Sequence, residues 1–312
     1  MAIQESSAKR RRMRVTRVSG IGIARYVFVL PALLFILIFF VYPLADNVVV
    51  SVENVNLSTY LNGNAPFVGW SNYTFILQSP VFQQAARTTA TFCFVSLFFQ
   101  FMLGMLLALF FSRSFPLSRL ARSLLLVPWL LPVVVTSTAF KWLFTDPNGL
   151  VNYVLVDVLH IMAHGRAWLA DPQLALPVVI LTNVWVGVPF NMIILHSGLQ
   201  GISPELYEAA DIDGAGRWAR FWRITLPLLR PVIAVLLILG FVYTIKAFGL
   251  VYAETGGGPA NDTEILSILS YQLSFGDFLF GRGAAVGNVM VLVALVGALA
   301  YIFALSREQG WA

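Results

Sequence analysis

Six runs of predominantly apolar residues, each 20 to 22 residues long, constrain this chain more than any other feature of its sequence. About 20 helical residues are needed to cross the roughly 30 Å hydrocarbon core of a bilayer. Only 11% of the 312 residues are charged, against about 25% in an ordinary soluble domain. The sequence therefore predicts an all-α, polytopic integral membrane protein with six transmembrane helices, over Tyr26–Ala45, Ala90–Phe111, Ser123–Phe144, Leu174–Leu195, Val232–Val251 and Ala284–Leu305.

Lys and Arg residues fall mainly on one side of this plan. With a cytoplasmic N-terminus, fifteen of them lie in inner segments and three in outer loops. Seven of the fifteen belong to a basic tail, residues 1–25, which precedes a transmembrane domain of residues 26–312. The positive-inside rule then places both termini in the cytoplasm, and it explains the net charge of +5 without nucleic acid. The first run exceeds the apolar core of a signal peptide, so we expect an uncleaved span.

The long loop at residues 196–231, on the predicted cytoplasmic side, carries signals for two short helices. Ser203 is suited to the N-cap of the first helix and Pro204 to its first helical position. Gly214 can adopt the left-handed conformation that ends a helix. We expect a second short helix over Arg217–Leu226, ended by the two prolines near the start of the fifth span.

Small residues and a carboxylate make the first helix of this loop a candidate docking element. The methyl side chains of Ala209 and Ala210 leave room for a partner backbone, and Glu208 offers a carboxylate to an arginine of that partner. The alternative is an amphipathic helix that lies on the lipid surface.

An ordered set of residues then runs through the same loop. They are Glu208-Ala209-Ala210, Asp213-Gly214-Ala215, Phe221, Ile224, Leu226-Pro227 and Pro231. This set resembles the EAA loop of the membrane subunits of binding-protein-dependent ABC importers. Six spans with this loop between the fourth and fifth are also that family's plan, so the resemblance implies the type I fold of ABC importer permeases.

Further segments resemble the carbohydrate permeases of the maltose and glycerol-phosphate type. They are Phe67–Tyr73, Glu254–Pro259, Thr263, Tyr271, Phe275 and Gly283–Ala285. The resemblance implies a permease of the inner (cell) membrane that carries a sugar or related polyol by alternating access. It also implies four kinds of partner: a homologous second permease, two cytosolic ATPase subunits that hold ATP and Mg, an extracytoplasmic sugar-binding protein, and the lipid bilayer.

The resemblance implies that six residues of the loop couple this chain to the ATPase. Glu208 would pair with a basic group on the ATPase, Ala209 and Ala210 would allow close packing, and Gly214 would allow the turn. The other two members are Asp213 and Ala215.

The chain itself carries no recognisable catalytic or cofactor site. The glycine run that ends at Gly258 continues with Pro259, where a phosphate-binding loop requires Lys followed by Ser or Thr. His160 and His164 are four residues apart but lack a carboxylate–histidine motif, so we expect a solvated loop and no metal site. We therefore expect a transport subunit with no enzymatic activity, no cofactor and no ATPase site of its own.

Polar residues inside the spans are the candidates for the substrate path. Asn183 and Asn191 lie on nearly one face of the fourth span, with Gly187 between them. Gln100 in the second span and Lys246 in the fifth are further candidates. The alternatives are hydrogen bonding between helices for the amides and snorkelling toward the interface for the lysine.

A stand-alone secondary carrier or channel is the competing class of function. A carrier would require acidic residues buried in the spans, and all fifteen Asp and Glu residues fall outside the six predicted segments. As substrates, a disaccharide, an oligosaccharide, a polyol and glycerol phosphate all fit the pattern.

Overall fold

A computed structural model of the chain describes residues 21–113 and 115–308. Within these ranges the chain is helical, and the β pairing found there is a single isolated bridge between Glu53 and Phe67. This confirms the all-α prediction. The predicted basic tail lies outside the described residues as far as residue 20.

Long helices alternate with groups of short ones along the chain. The first long helix is continuous and consists of α1 (Ile21–Ile36), a π-helical segment (Leu37–Val41) and α2 (Tyr42–Ser51). The chain continues through α3 (Leu57–Asn62), α4 (Ser71–Gln78), α5 (Pro80–Phe111), α6 (Ser118–Leu125), α7 (Val127–Leu130), α8 (Val133–Leu143), α9 (Leu150–Asn152) with a π-helical segment (Tyr153–Val158), and α10 (Ala175–Gln200). The remainder is α11 (Pro204–Ile212), α12 (Arg217–Arg220), a π-helical segment (Phe221–Thr225), α13 (Leu226–Ile245), α14 (Phe248–Glu254), α15 (Leu266–Tyr271) with a π-helical segment (Gln272–Gly276), and α16 (Phe280–Glu308).

Among the described residues, five helices are long and apolar enough to cross a membrane, and one bent helix pair passes the same test as a unit. The chain divides into two compact units after Asn47. In the first unit, the side chains of Phe28 to Val41 are exposed and almost all apolar, as suits a helix that faces lipid. The candidate functional residues all belong to the second unit.

Helices α5 and α10 form the centre of the second unit and touch at glycine residues. A Cβ atom added to Gly104 would lie 2.5 Å from Asn191 Cβ, and one added to Gly187 would lie 2.3 Å from Gln100 Cδ. Small residues permit such close approach between transmembrane helices. The contact brings the polar residues of the two helices side by side.

Three buried clusters follow α5 along its length. One contains Phe82 and Ala85 with residues of α15 and α16, one contains Phe92 with residues of α10 and α13 to α15, and one contains Met105 with residues of α10 and α13. Helix α5 therefore organises the packing of every long helix in this unit.

The third predicted span, Ser123–Phe144, is not one continuous helix. It consists of Ser118–Leu130 and Val133–Leu143, which meet at 93°. Pro132 causes the break, because a proline disfavours the helical conformation of the residue before it. Leu131 is accordingly extended, with φ −70° and ψ 143°.

The fifth predicted span, Val232–Val251, is interrupted near its end. Helix α13 stops at Ile245, and Phe248–Glu254 forms a separate helix. Ile245, Leu250 and Val251 all enter one buried cluster. Residues five and six apart cannot share a face of one straight helix, so the break allows all three to be buried.

The two prolines expected to end the second cytoplasmic helix do not end it. The structure has one continuous helix over Arg217–Ile245. The π-helical segment Phe221–Thr225 ends two residues before Pro227, and a π-helical turn is a known way for a helix to accommodate a local irregularity. Pro231 lies inside α13.

Candidate transport cavity and coupling loop

The five residues predicted for the substrate path line one cavity of about 460 Å³. They are Gln100 from α5, Asn183, Gly187 and Asn191 from α10, and Lys246 from the break after α13. The close contact of α5 with α10 and the interruption of α13 together create this space. The structure therefore brings together residues that are far apart in the sequence.

Two of the three amides are engaged by the backbone. Gln100 Nε2 donates a hydrogen bond of 2.9 Å to the carbonyl oxygen of Asn183, which joins α5 to α10. Asn191 Nδ2 donates a bond of 2.9 Å to the carbonyl oxygen of Gly187 within α10. Asn183 Nδ2 is different, because it is buried without a hydrogen-bond partner among the described residues. A buried donor left unpaired costs free energy, so this amide is the one best prepared to accept a new polar partner.

Lys246 is exposed to the cavity at the point where the chain leaves α13. Its Nζ atom lies 5.8 Å from the ring centroid of Tyr243. Among the described residues no carboxylate lies within 4.0 Å of this ammonium group, and none lines the cavity. The cavity wall is therefore polar and positively charged on this side, while Trp129 and Phe190, with ring centroids 5.5 Å apart, supply an aromatic surface.

The predicted coupling helix exists as α11, which starts at Pro204. Ser203 occupies the N-cap position, but its hydroxyl makes no capping bond, which differs from the usual role of serine there. At the C-terminal end of α11, Gly214 has the predicted left-handed conformation, with φ +74°. The amide of Gly214 bonds the carbonyl of Asp211, and that of Ala215 bonds the carbonyl of Ala210 at 2.8 Å. This pattern is a Schellman motif, which requires a left-handed residue.

The exposed face of α11 differs in one position from the sequence-based expectation. Glu208 and Ala209 are exposed, whereas Ala210 is buried with 9% of its surface accessible. Ala210 therefore packs within this chain, and of the three residues Glu208, Ala209 and Ala210 only the first two are open to a partner. Asp213 and Gly214 are exposed at the end of the helix, and Ala215 is half-buried.

Two side-chain contacts attach α11 to the helix that follows it. Asp211 forms an ion pair with Arg220. The hydroxyls of Tyr207 and Thr225 are hydrogen-bonded at 3.0 Å. The helix over Arg217–Ile245 has 29 residues and thus extends about 43 Å. It connects the coupling loop directly to the residue before Lys246 in the cavity wall.

Sequence reasoning missed two buried carboxylic acids. Glu254 and Glu264 were assigned to an outer loop, yet each is only 1% exposed. Thr182 Oγ1 donates a hydrogen bond of 2.6 Å to Glu254 Oε1, and both carboxylate oxygens of Glu264 are buried without a partner among the described residues. One sequence signal was available for Glu254. It lies three residues after Val251 and four after Leu250, so on a helix it shares a face with these two apolar residues, which are both buried.

Burial raises the pKa of both acids. The pKa of Glu254 rises to about 8 because desolvation outweighs the hydrogen bond from Thr182 and the charge of Lys141. Desolvation raises the pKa of Glu264 to about 7. Neither residue lines the transport cavity. The argument against a carrier was that acidic residues are lacking in the spans. It holds for the cavity, which has no acidic residue among the described residues of its wall, but the protein interior does contain these two.

The glycine run between α14 and α15 closes a tight turn. Gly256 and Gly257 have φ of +63° and +97°, conformations that favour glycine. The hydroxyls of Thr255 and Thr263 are 2.7 Å apart across this turn. As for metals, no group of three or more His, Cys, Asp or Glu side chains arranged to hold an ion is found in the part of the chain that the structure describes.

Comparison with known proteins identifies the relatives of this chain. The family described as binding-protein-dependent transport system inner membrane component matches residues 100–307. The trehalose/maltose transport system permease protein MalF of Thermococcus litoralis is 32% identical over 278 residues, which are 89% of this chain and 92% of the relative. The diacetylchitobiose uptake system permease protein DasB of Streptomyces coelicolor is 33% identical, with coverage of 92% and 88%.

The fold is also similar to solved structures. One is a chain of a bacterial ABC transporter involved in the import of the acidic polysaccharide alginate, with a TM-score of 0.77, 26% identity, and coverage of 91% of this chain and 95% of that one. A second structure of a bacterial alginate ABC transporter, with a TM-score of 0.77, is a complex with an alginate pentasaccharide-bound periplasmic protein.

Proposed function

We propose that this chain, which belongs to the family of binding-protein-dependent transport system inner membrane components, is a permease subunit of an ABC importer. It moves a sugar or related polyol by alternating access. The relatives support the substrate class, since their names give trehalose or maltose and diacetylchitobiose as substrates. The observation that carries the proposal is the connection of one polar cavity to the coupling loop by a single helix.

We propose that four kinds of partner complete the importer. A homologous second permease closes the open side of the cavity, and a sugar-binding protein delivers the solute from outside. Two cytosolic ATPase subunits hold ATP and Mg and supply the energy. The lipid bilayer surrounds the assembly, with the tail, the coupling loop and both termini of this chain in the cytoplasm.

Coupling begins at the exposed surface of α11. Glu208 pairs with a basic group on the ATPase, and Ala209 allows that subunit to approach the helix closely. The Schellman motif at Gly214 and the Asp211–Arg220 ion pair make α11 move together with the following helix. Because that helix is continuous as far as Ile245, a displacement at the ATPase changes the cavity wall at Lys246.

The cavity binds the solute through few but well-placed polar groups. Asn183 offers its unpaired amide to a sugar hydroxyl, and Lys246 donates from the break after α13. Gln100 and Asn191 hold the local backbone of α10 in place. Gly187 allows α10 to lie close to Gln100, because any side chain at this position would collide with that residue.

The assembly is tested by purifying the tagged chain from its native membrane in mild detergent and identifying what accompanies it by mass spectrometry. We expect a cytosolic ATPase and a second six-span protein. A chain that purifies alone and transports solute alone in liposomes would establish the carrier instead.

The coupling role is tested by Glu208→Arg, which we expect to abolish uptake while membrane insertion is unchanged. The charge reversal places like charges together at the ATPase contact. Glu205→Arg is the matched control, since Glu205 is exposed on the first turn of the same helix. Uptake at the normal rate by the Glu208 variant would remove that residue from the mechanism.

A further inference from the structure

A second cavity, of about 840 Å³, lies between the end of α5 and the helix that follows α11, and it is separate from the transport cavity. Its walls are apolar on both sides. Phe101, Met105 and Leu109 line it from α5, and Phe221 and Trp222 line it from the π-helical segment. We refer to it as the basic groove, because Arg113, Arg217 and Arg220 also line it.

The arginines of the basic groove lie where a transmembrane helix leaves the apolar core. Arg113 follows the last residue of α5 by two positions, and Arg217 is the first residue of α12. Trp218 and Trp222, which also line the groove, are 77% and 59% exposed. Exposed tryptophans beside basic residues are typical of the boundary between hydrocarbon and headgroups. The groove therefore extends from the hydrocarbon region to the headgroup region.

The positive charge of the groove is only partly compensated within the chain. Arg220 is paired with Asp211. Neither Arg113 nor Arg217 has a carboxylate within 4.0 Å among the described residues, and no acidic residue lines the groove. Guanidinium groups bind phosphate oxygens through paired, charge-assisted hydrogen bonds.

From this geometry we propose that the basic groove binds an anionic phospholipid of the cytoplasmic leaflet. Its phosphate lies between Arg113 and Arg217, and an acyl chain packs against Phe101, Met105 and Leu109. Basic pockets between transmembrane helices on the cytoplasmic side are suited to such headgroups. The cytoplasmic placement rests on the proposed orientation of the importer.

A lipid suits this groove better than the ATPase does. The face of α11 proposed for the ATPase carries Glu208 and Ala209, neither of which lines the groove. A water-soluble subunit would also have no access to the apolar wall that α5 presents within the bilayer. The bound lipid would join α5 to the coupling segment, so it would favour a defined position of α12 during transport.

The proposal is tested on the purified importer in nanodiscs of phosphatidylcholine and phosphatidylglycerol at a three to one ratio. Native mass spectrometry counts the phosphatidylglycerol molecules that stay bound after transfer to detergent. Each arginine is expected to contribute about fivefold to apparent lipid affinity, so Arg113→Gln with Arg217→Gln should weaken retention about 25-fold. Arg113→Lys with Arg217→Lys should preserve most of it.

The matched control is Arg119→Gln with Arg223→Gln, two exposed arginines of the predicted cytoplasmic side that lie outside the groove. We expect this pair to retain lipid like the unchanged protein. Equal retention by both glutamine pairs, or equal loss in both, overturns the proposal. Loss of the ATPase or the second permease from the groove variant, with lipid unchanged, would instead make the groove a protein interface. The readout is bound lipid, so it is scored even if the chain purifies without an ATPase, which would contradict only the proposed function.

Discussion

Glu254 is a carboxylic acid enclosed by helices, and its surroundings determine its protonation. Its pKa rises to about 8 in the folded protein, above the 4.5 of an unperturbed glutamate, mainly through desolvation. The folded state therefore binds more protons than the unfolded state between these two values. Stability from this group is fully present below pH 4.5 and is lost as the pH rises through about 8.

We accordingly expect Glu254→Gln to flatten the dependence of thermal stability on pH. The amide is neutral at every pH, so the variant should gain stability relative to the unchanged protein as the pH approaches 8. Melting temperatures across that interval measure the effect, with Glu205→Gln at an exposed position as the control. Parallel pH profiles for the Glu254 variant and the unchanged protein would contradict this assignment.

A second expectation concerns the glycine contact between α5 and α10. Gly104→Ala places a methyl group 2.5 Å from Asn191 Cβ and 3.1 Å from the backbone nitrogen of Met192, which cannot move without shifting α10. Overpacking of this kind costs about 1–3 kcal/mol, more than the roughly 1 kcal/mol that alanine gains over glycine in a helix. We expect a lower melting temperature and a smaller transport rate.

Gly276→Ala is the control for that change, because no atom lies within 4 Å of its added methyl group. A Gly104 variant as stable as the Gly276 variant would show that the helices separate easily.

Individual residues could be singled out from the sequence where their chemistry is unusual for its surroundings. Gln100, Asn183 and Asn191 stood out because an amide inside an apolar run is costly unless it is hydrogen-bonded or lines a polar cavity. Their division into two backbone-bonded amides and one unpaired donor depends on the approach of α5 to α10, which no local pattern specifies. Glu254 was missed because its burial depends on the packing of α14 against other helices.

At the scale of elements, apolar length located the helices better than it located their interruptions. Helix α5 covers the second predicted span and begins before it, and α10 covers all but the first residue of the fourth span and ends after it, since polar residues continue a helix outside the hydrocarbon. The bend at Pro132 had a visible cause in the sequence. The end of α13 at Ile245 had none, because no proline or glycine stands there and burial of three side chains decides it.

The bend is expected to matter for transport. Pro132→Ala restores an amide hydrogen and relieves the restriction on Leu131, so the segment gains access to a continuous helix. Straightening would move α8 away from α14, against which it packs. We expect reduced uptake with normal insertion, and Pro80→Ala, at the first turn of α5, is the control. Undiminished uptake by the Pro132 variant would mean that the bend is set by packing alone.

At the scale of the whole molecule, charge distribution is the property that orients the chain. Fifteen basic residues on the proposed inner side against three outside predict both termini in the cytoplasm. We expect a fluorescent protein fused to the C-terminus to fluoresce and an alkaline phosphatase fused after His160 to be active. The reverse pair of results would invert the topology and place α11 away from the ATPase.

The cavity was the least predictable feature at this scale. Its residues come from six helices (α5, α7, α8, α10, α13 and α14) and from the break after Ile245, and one side remains open in the single chain. The sequence could nominate the residues, but their convergence required the fold.

Cys93 has a practical consequence that reaches beyond its packing. It is the only cysteine of the chain and is 4% exposed within a buried cluster. Thiol-reactive probes should therefore leave the unchanged subunit essentially unlabelled. A cysteine engineered at an exposed position would then be the one site of this subunit that carries a probe. Distances between pairs of such probes can be measured spectroscopically through a transport cycle without first removing Cys93.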